Sequence, residues 1–207
     1  MIGAPAARID IHATGIIWSL VYLLIIYRSY RDRSCGMPVA ALVMNLGWEF
    51  FDGFISNSPI CGIYSIIWLF LDLAILLACV RARWHERPAS AAMALLAAAA
   101  CYASILYLAS RQGGSELLTS AFPQNLLMSL LFVLMIRARK DSLGQSFYIG
   151  LLKFLGTFTP IAYVFLHVER LPALLVFLFL SISLLDLYYI YLYLRLYRGR
   201  YRLAFCR

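Results

Sequence analysis

Seven apolar stretches, each long enough to cross a lipid bilayer, follow one another along the 207-residue chain. The hydrocarbon core of a bilayer, about 30 Å thick, is crossed by roughly 20 helical residues. The predicted spans are residues 11–27, 37–55, 60–80, 89–109, 116–136, 146–166 and 171–194. Hydrophobic residues make up 63% of the chain, more than a soluble domain of this size can bury. We therefore expect one all-α domain, residues 1–207, folded as a polytopic bundle of seven transmembrane helices.

The basic residues alternate between the two ends of these spans. The segments after spans one, three, five and seven carry fourteen arginines and lysines, whereas the N-terminus and the other segments carry three. Because basic segments stay in the cytoplasm, the N-terminus is predicted to lie outside and the C-terminus in the cytoplasm. The net charge of +8 resides in these segments, so membrane lipid is its expected partner and nucleic acid is not.

The cysteines predict neither a disulfide framework nor a metal site. They are Cys35, Cys61, Cys79, Cys101 and Cys206. None belongs to a Cys-x-x-Cys pair or stands at a metal-ligand spacing from a histidine, and three lie in or beside apolar segments. We expect no metal and no cofactor.

Five ionisable residues lie inside the predicted spans, where each charge would cost several kcal/mol. They are Glu49, Asp52, Asp72, Lys153 and Asp186. A buried ion pair of Lys153 with Asp72 or with Asp186 would be a purely structural explanation. Asp52 could also lie close enough to the outer interface to be hydrated.

The acids share helix faces with aromatic and amide side chains. In span two, Asn45, Glu49 and Asp52 follow at spacings of four and three, with Trp48 beside them. Two further faces are predicted, Tyr64, Trp68 and Asp72 in span three and Asp186 with Tyr189 in span seven. Because lipid does not solvate such faces, we expect them to turn inward around one pocket.

A buried carboxyl beside aromatic rings suits one kind of chemistry. A carboxyl removed from water keeps its proton at neutral pH and can act as a general acid. The negative faces of aromatic rings stabilise a carbocation. The combination predicts a proton-initiated cyclisation of an isoprenoid.

The segment Asn45-Leu46-Gly47-Trp48-Glu49 resembles the Asn-x-x-Trp-Glu signature of the integral membrane terpene cyclases of meroterpenoid and indole terpenoid biosynthesis. In that family an aspartate of the last helix accompanies the glutamate, and Asp186 stands at the matching place. The resemblance implies that Glu49 and Asp186 are catalytic and protonate a terminal epoxide or olefin of a lipophilic prenylated substrate, guiding its cyclisation. We expect a bacterial member of the family, located in the inner membrane.

The resemblance and the helix faces together define the predicted site. Besides the two catalytic acids, the residues expected to contact the substrate are Asn45, Trp48, Asp52, Tyr64, Trp68, Asp72 and Tyr189. The alternative function is a proton-coupled transporter, because intramembrane acids also mark ion relays. The absence of an internal repeat counts against it. The chain has no Asp-Asp-x-x-Asp or Asp-x-Asp-Asp run, so a diphosphate-ionising or soluble olefin-protonating cyclase is not indicated.

Overall fold

The computed structural model describes residues 4–56, 61–83, 88–111, 121–167 and 173–204, and its regular structure in these ranges is helical. The helices are α1 (Ala4–Arg31), α2 (Val39–Phe54), α3 (Cys61–Arg83), α4 (Pro88–Ser110), α5 (Phe122–Arg139), α6 (Phe147–His167) and α7 (Ala173–Ala204). The predicted all-α fold class with seven helices is thereby confirmed.

Four segments are long and apolar enough to cross a membrane by themselves. They are His12–Arg31, Gly62–Arg83, Ala89–Ser110 and Ala173–Tyr197. Helix α6 contains a shorter apolar segment, Phe147–Ala162. Helix α2 has 16 residues and is therefore about 24 Å long, less than the thickness of a bilayer core. Where each helix enters and leaves the bilayer stays a prediction.

Six of the helices pack as a ring in the order α1, α3, α2, α5, α7 and α6, with α6 returning to α1. Helix α4 lies outside this ring, against α2 and α3. It approaches α2 closely because small residues meet there: a Cβ atom on Gly47 would stand 2.5 Å from the carbonyl oxygen of Ala99. The ring leaves an interior into which the polar faces of several helices can turn.

A disulfide joins Cys35, in the loop before α2, to Cys79 near the end of α3. The prediction that the cysteines form no disulfide is therefore wrong. Both residues are buried, and their Cα atoms are 4.4 Å apart although 44 residues separate them in the chain. The spacing of cysteines along a sequence does not show which of them meet when helices pack, and this pair meets only through the fold.

The arginine-rich end of the bundle is also held by hydrogen bonds between loops. Arg28 forms an ion pair of 2.9 Å with Asp32, whose carboxylate accepts a hydrogen bond of 2.9 Å from the Gly144 amide. Arg139 donates to the Cys35 carbonyl oxygen at 2.8 Å. The basic residues that predict orientation thus also stabilise the loops on their side of the bundle.

Candidate active site

The first buried acidic centre lies between α1, α2 and α3. The Tyr22 hydroxyl donates a hydrogen bond of 2.7 Å to Glu49 Oε1, and the Asn45 amide donates one of 2.8 Å to the Tyr22 oxygen. The carboxyl group of Asp72 lies beside the carboxyl group of Glu49 and the side-chain amide of Asn45. Helices α1 and α2 are not neighbours in the ring, so the bond from Tyr22 to Glu49 crosses the ring interior.

This centre has fewer hydrogen-bond donors than its carboxyl oxygens could accept from. Glu49 is 2% exposed and Asp72 is fully buried, yet Glu49 Oε2 and both oxygens of Asp72 have no donor among the described residues. Two adjacent carboxylates in a buried site repel each other strongly, so they favour sharing a proton. One proton between the two groups would also let one carboxyl donate a hydrogen bond to an oxygen of the other. Such a pair of carboxyls has the composition of a general acid.

A chain of neutral polar groups fixes the Asn45 amide. Its oxygen accepts a hydrogen bond of 3.0 Å from Gln124 Nε2 on α5, and the Gln124 oxygen accepts one of 3.0 Å from the Tyr102 hydroxyl on α4. Because each group has a defined donor or acceptor role, the Asn45 nitrogen is directed at Tyr22. With Tyr22, the chain connects the four helices α1, α2, α4 and α5 through neutral side chains.

The second centre lies between α5, α6 and α7. Lys153 Nζ lies 2.6 Å from Asp186 Oδ1 and 2.6 Å from the hydroxyl oxygen of Ser129. All three residues are buried, with Ser129 at 0% exposure. Of the alternatives that the sequence left open, Lys153 pairs with Asp186 and not with Asp72. Among the described residues, no hydrogen bond or ion pair joins Asp186 directly to Glu49.

A row of aromatic rings connects the two centres. The ring of Tyr22 lies 6.2 Å from Trp18 on one side and 6.2 Å from Trp68 on the other. Trp68 is followed by Tyr64 at 5.9 Å, and Lys153 Nζ lies 5.9 Å from the centre of the Trp18 ring. Ring faces at these distances from buried charges are suited to stabilising a positive charge. The structure thus places the predicted acids in two centres linked by rings, and the one pocket expected around them stays a prediction.

The other predicted site residues have partners of their own. Asp52 accepts a hydrogen bond of 2.9 Å from Ser56, one turn further along the chain. It also accepts one of 2.6 Å from Ser65, which ties α2 to α3. The Tyr64 hydroxyl lies 2.8 Å from His12 Nδ1. Trp48 packs in an apolar cluster with Phe51 on α2 and with residues of α4. These contacts leave the predicted substrate-binding roles untested.

Tyr189 lies inside the ring of helices near the second centre, on the same helix as Asp186. Its hydroxyl donates to the oxygen of Gln145, and its ring meets Phe132 edge-on at 5.8 Å. It is 2% exposed and packs against Gly150, where a Cβ atom would stand 2.8 Å from the tyrosine ring. The predicted contact of Tyr189 with substrate would require these neighbours to move.

Several residues of the two centres escape the sequence analysis because they are neutral. Trp18 and Tyr22 stand four residues apart on α1, and Ser129 and Gln124 lie on α5. The spacing of Trp18, Ser19 and Tyr22 places them on one side of α1, which is the signal that the sequence offers. No site residue is predicted on this helix because span one contains no acidic residue.

The profile of the Pyr4-like transmembrane terpene cyclases matches residues 4–199. The chain belongs to this family. It is 32% identical to terpene cyclase pyr4 of Aspergillus fumigatus over 168 residues, 76% of the chain and 69% of the relative. Terpene cyclase macJ of Penicillium terrestre is 25% identical over 171 residues, 77% of the chain and 66% of the relative. The chain therefore spans about two thirds of the length of these relatives.

A third relative, terpene cyclase andB of Emericella variicolor, is 28% identical over 155 residues, 70% of the chain and 66% of the relative. No solved structure matches the chain. The predicted family and enzyme class, a membrane terpene cyclase, are confirmed, and the family favours a cyclase over a carrier. The relatives are fungal, so the expected bacterial origin and inner-membrane location are not supported.

Proposed function

We propose that this Pyr4-like cyclase protonates the terminal epoxide or olefin of a prenylated meroterpenoid or indole terpenoid precursor and guides the carbocation to a cyclic product. The observation that supports this most directly is the buried pair of carboxyls, Glu49 and Asp72, which lie beside Tyr22 and Asn45. Within the described part of the chain, three of their four oxygens have no hydrogen-bond donor. A proton source in such a water-poor place, next to aromatic rings, is what the reaction needs.

The reaction conserves every atom of the substrate. For an epoxide, the acid gives a proton to the epoxide oxygen, the carbon–oxygen bond breaks and the oxygen becomes a hydroxyl. The electron pairs of the olefins then form the ring carbon–carbon bonds, moving the positive charge along the chain. The last cation loses a proton from a neighbouring carbon, whose bonding electrons become the double bond of the product. The product is an isomer of the substrate.

The proposed roles follow the positions of the side chains. Glu49 is the acid, with Asp72 beside it sharing the proton and Asn45 holding the Tyr22 hydroxyl in place. Asp186 is the second catalytic residue with an acidic side chain. Trp68 and Tyr64 line the cation path in the aromatic row. For Trp48, Asp52 and Tyr189, contact with the substrate is proposed from the sequence alone.

The substrate reaches this site from the membrane, since a prenylated aromatic compound partitions into lipid. We place the chain as one transmembrane domain, residues 1–207, with the seven spans predicted from the sequence and the C-terminus in the cytoplasm. The fourteen basic residues on one side support this orientation. Neither a metal nor a cofactor takes part in the proposed steps.

Membranes containing the protein, incubated with a farnesylated indole or with its terminal epoxide, test the reaction. We expect a product of equal mass and different retention. Glu49→Gln should lower turnover by about 10³-fold or more, because the amide cannot deliver a proton. The control is Asp141→Asn, at a loop position where the side chain accepts a hydrogen bond from the Leu143 amide, a bond that asparagine can also accept. Full turnover by the Glu49→Gln variant would remove Glu49 from the mechanism.

A further inference from the structure

Lys153 uses its ammonium group entirely within the protein. Two of its contacts, both of 2.6 Å, are to Asp186 Oδ1 and to the Ser129 hydroxyl, and Trp18 lies beside it. The side chains of Lys153 and Asp186 are 2% and 3% exposed. The charge of a lysine buried in this way affects mainly the acidic group that it contacts, which is one carboxylate oxygen of Asp186.

The other oxygen of Asp186 is different. Asp186 Oδ2 is buried and, in the part of the chain that the structure describes, has no hydrogen-bond donor. A carboxyl group without a cation partner in such surroundings would take up a proton, whereas a contact with an ammonium group favours the charged form. Lys153 therefore anchors one oxygen and leaves the second as an unpaired acceptor.

The surroundings contain few other titratable groups. Tyr189 lies one turn from Asp186 on α7, with Tyr193 a turn beyond it, and Arg28 of α1 acts on Tyr189 from the arginine-rich end. From α6 comes Lys153, and from α5 the described contact is Ser129, which does not titrate at neutral pH. Lys153 is thus the cation in direct contact with Asp186 among the described residues.

We infer that Lys153 is a positioning residue that keeps Asp186 a carboxylate, whose free Oδ2 removes the proton that ends the cyclisation. The Glu49–Asp72 centre delivers the proton that begins it. In the last step a carbon–hydrogen bond of the cation breaks, its electrons form the product double bond and the proton passes to Asp186. One proton has then moved from the first centre to the second, and it must return before the next turnover. This inference rests on the proposed function.

The decisive variant is Lys153→Met, with Lys140→Met as the matched control. Lys140 is the other lysine of the chain, and it is exposed at the end of α5. At neutral pH we expect Lys153→Met to lose at least about tenfold in turnover of the farnesylated indole epoxide. Its turnover should recover by about tenfold per pH unit as the medium is made alkaline, because Asp186 must then lose its proton without help.

Wild type and Lys140→Met should lack this alkaline recovery, and Lys153→Arg should resemble them because it keeps the positive charge. A purely structural lysine would lower turnover equally at every pH. A Lys153→Met variant with the pH profile of wild type would therefore overturn the inference. If wild-type membranes convert neither probe, it is the proposed function that fails.

Infrared difference spectroscopy gives a reading that does not depend on turnover. The double variant Lys153→Met/Asp186→Asn leaves no charge unpaired and should fold. Compared with wild type at neutral pH, it should lose a carboxylate band and keep the carbonyl band of the protonated carboxyl in the Glu49–Asp72 centre. Loss of a protonated-carboxyl band in the double variant would show that Asp186 is not a carboxylate and would refute the assignment.

Discussion

The two acidic centres of the ring are equally buried and oppositely composed. In the first, Glu49 and Asp72 face each other among neutral groups, and three of their four oxygens find no donor within the described ranges. In the second, Asp186 faces the ammonium group of Lys153 at 2.6 Å. Burial alone would leave a lone carboxyl in either place protonated. The comparison teaches that the partner, more than the depth, determines whether a buried acid stores a proton or a charge.

The difference predicts that the same chemical change has opposite effects in the two centres. Replacing an aspartate by asparagine removes a charge that is balanced in one place and crowded in the other. Measuring the free energy of unfolding and the turnover of each variant, in detergent micelles and in membranes, therefore tests the comparison directly.

Asp186→Asn should have the largest effect on stability. It leaves Lys153 a buried cation without its counter-ion, which destabilises proteins by about 3–5 kcal/mol. Thermal or denaturant unfolding of the purified protein measures this loss. The double variant Lys153→Met/Asp186→Asn should recover most of the stability and none of the turnover. Equal stability of Asp186→Asn and wild type would mean that the ion pair does not exist in the folded protein.

Tyr22→Phe comes next. It keeps the aromatic ring in the row but removes the hydroxyl between Glu49 and Asn45. Glu49 Oε1 then loses its donor, and the Asn45 amide nitrogen loses its acceptor. We expect a loss of about 1–3 kcal/mol in stability, the usual cost of an unsatisfied buried polar group. Tyr102→Phe is the matched control, because its hydroxyl ends the same hydrogen-bond chain at a half-buried position. A larger loss of stability for Tyr102→Phe would mean that the hydrogen bond from α4 stabilises the protein more than the bonds of Tyr22 do.

Asp72→Asn should be neutral or stabilising, by up to about 1 kcal/mol, because the amide can donate to the Glu49 oxygen that now lacks a donor. Turnover should nevertheless fall on the order of tenfold or more, since Glu49 loses the second carboxyl that shares its proton and accepts part of the charge when the proton leaves. The two measurements on one variant separate stability from catalysis. If Asp72→Asn destabilised the protein as much as Asp186→Asn, the two centres would not differ in the way described.

Trp18→Phe should have the smallest effect. Lys153 Nζ lies 5.9 Å from the centre of the Trp18 ring, and a phenyl ring attracts a cation less strongly than an indole. We expect a loss of about 0.5–1 kcal/mol in stability, measured as for the other variants. Turnover should fall modestly, because this ring also joins the two centres. An unchanged unfolding energy would indicate that the ammonium gains nothing from the ring.

Much of the site follows from helical spacing, and its pairings do not. Acids and aromatic residues three or four apart mark the faces of α2, α3 and α7, and the structure buries Glu49, Asp72 and Asp186 on those faces. Which acid meets Lys153 depends on the neighbours of α6, which are α1 and α7 and not α3. That order is a property of the whole ring, and no local pattern of residues encodes it.

The aromatic residues of α2 show the same limit from another side. Phe50 and Phe54 adjoin the polar stripe in sequence and invite an inward reading, yet they are 47% and 58% exposed. They stand four residues apart on the side of the helix away from Glu49, where lipid is the expected solvent. Hydrophobicity alone cannot separate a ring that lines a site from one that faces the bilayer.

The helices that carry Glu49 and Asp72 are fastened differently at their two ends. At the arginine-rich end, Cys35 before α2 is joined covalently to Cys79 of α3, whereas at the opposite end Asp52 links the two helices through a hydrogen bond from the Ser65 hydroxyl. Hydrogen bonds of this kind exchange readily, and a covalent bond does not. Any parting of α2 from α3 must therefore pivot about the disulfide and open widest beside Asp52. The two carboxyls, lying between pivot and mouth, would separate by less than the helix ends do.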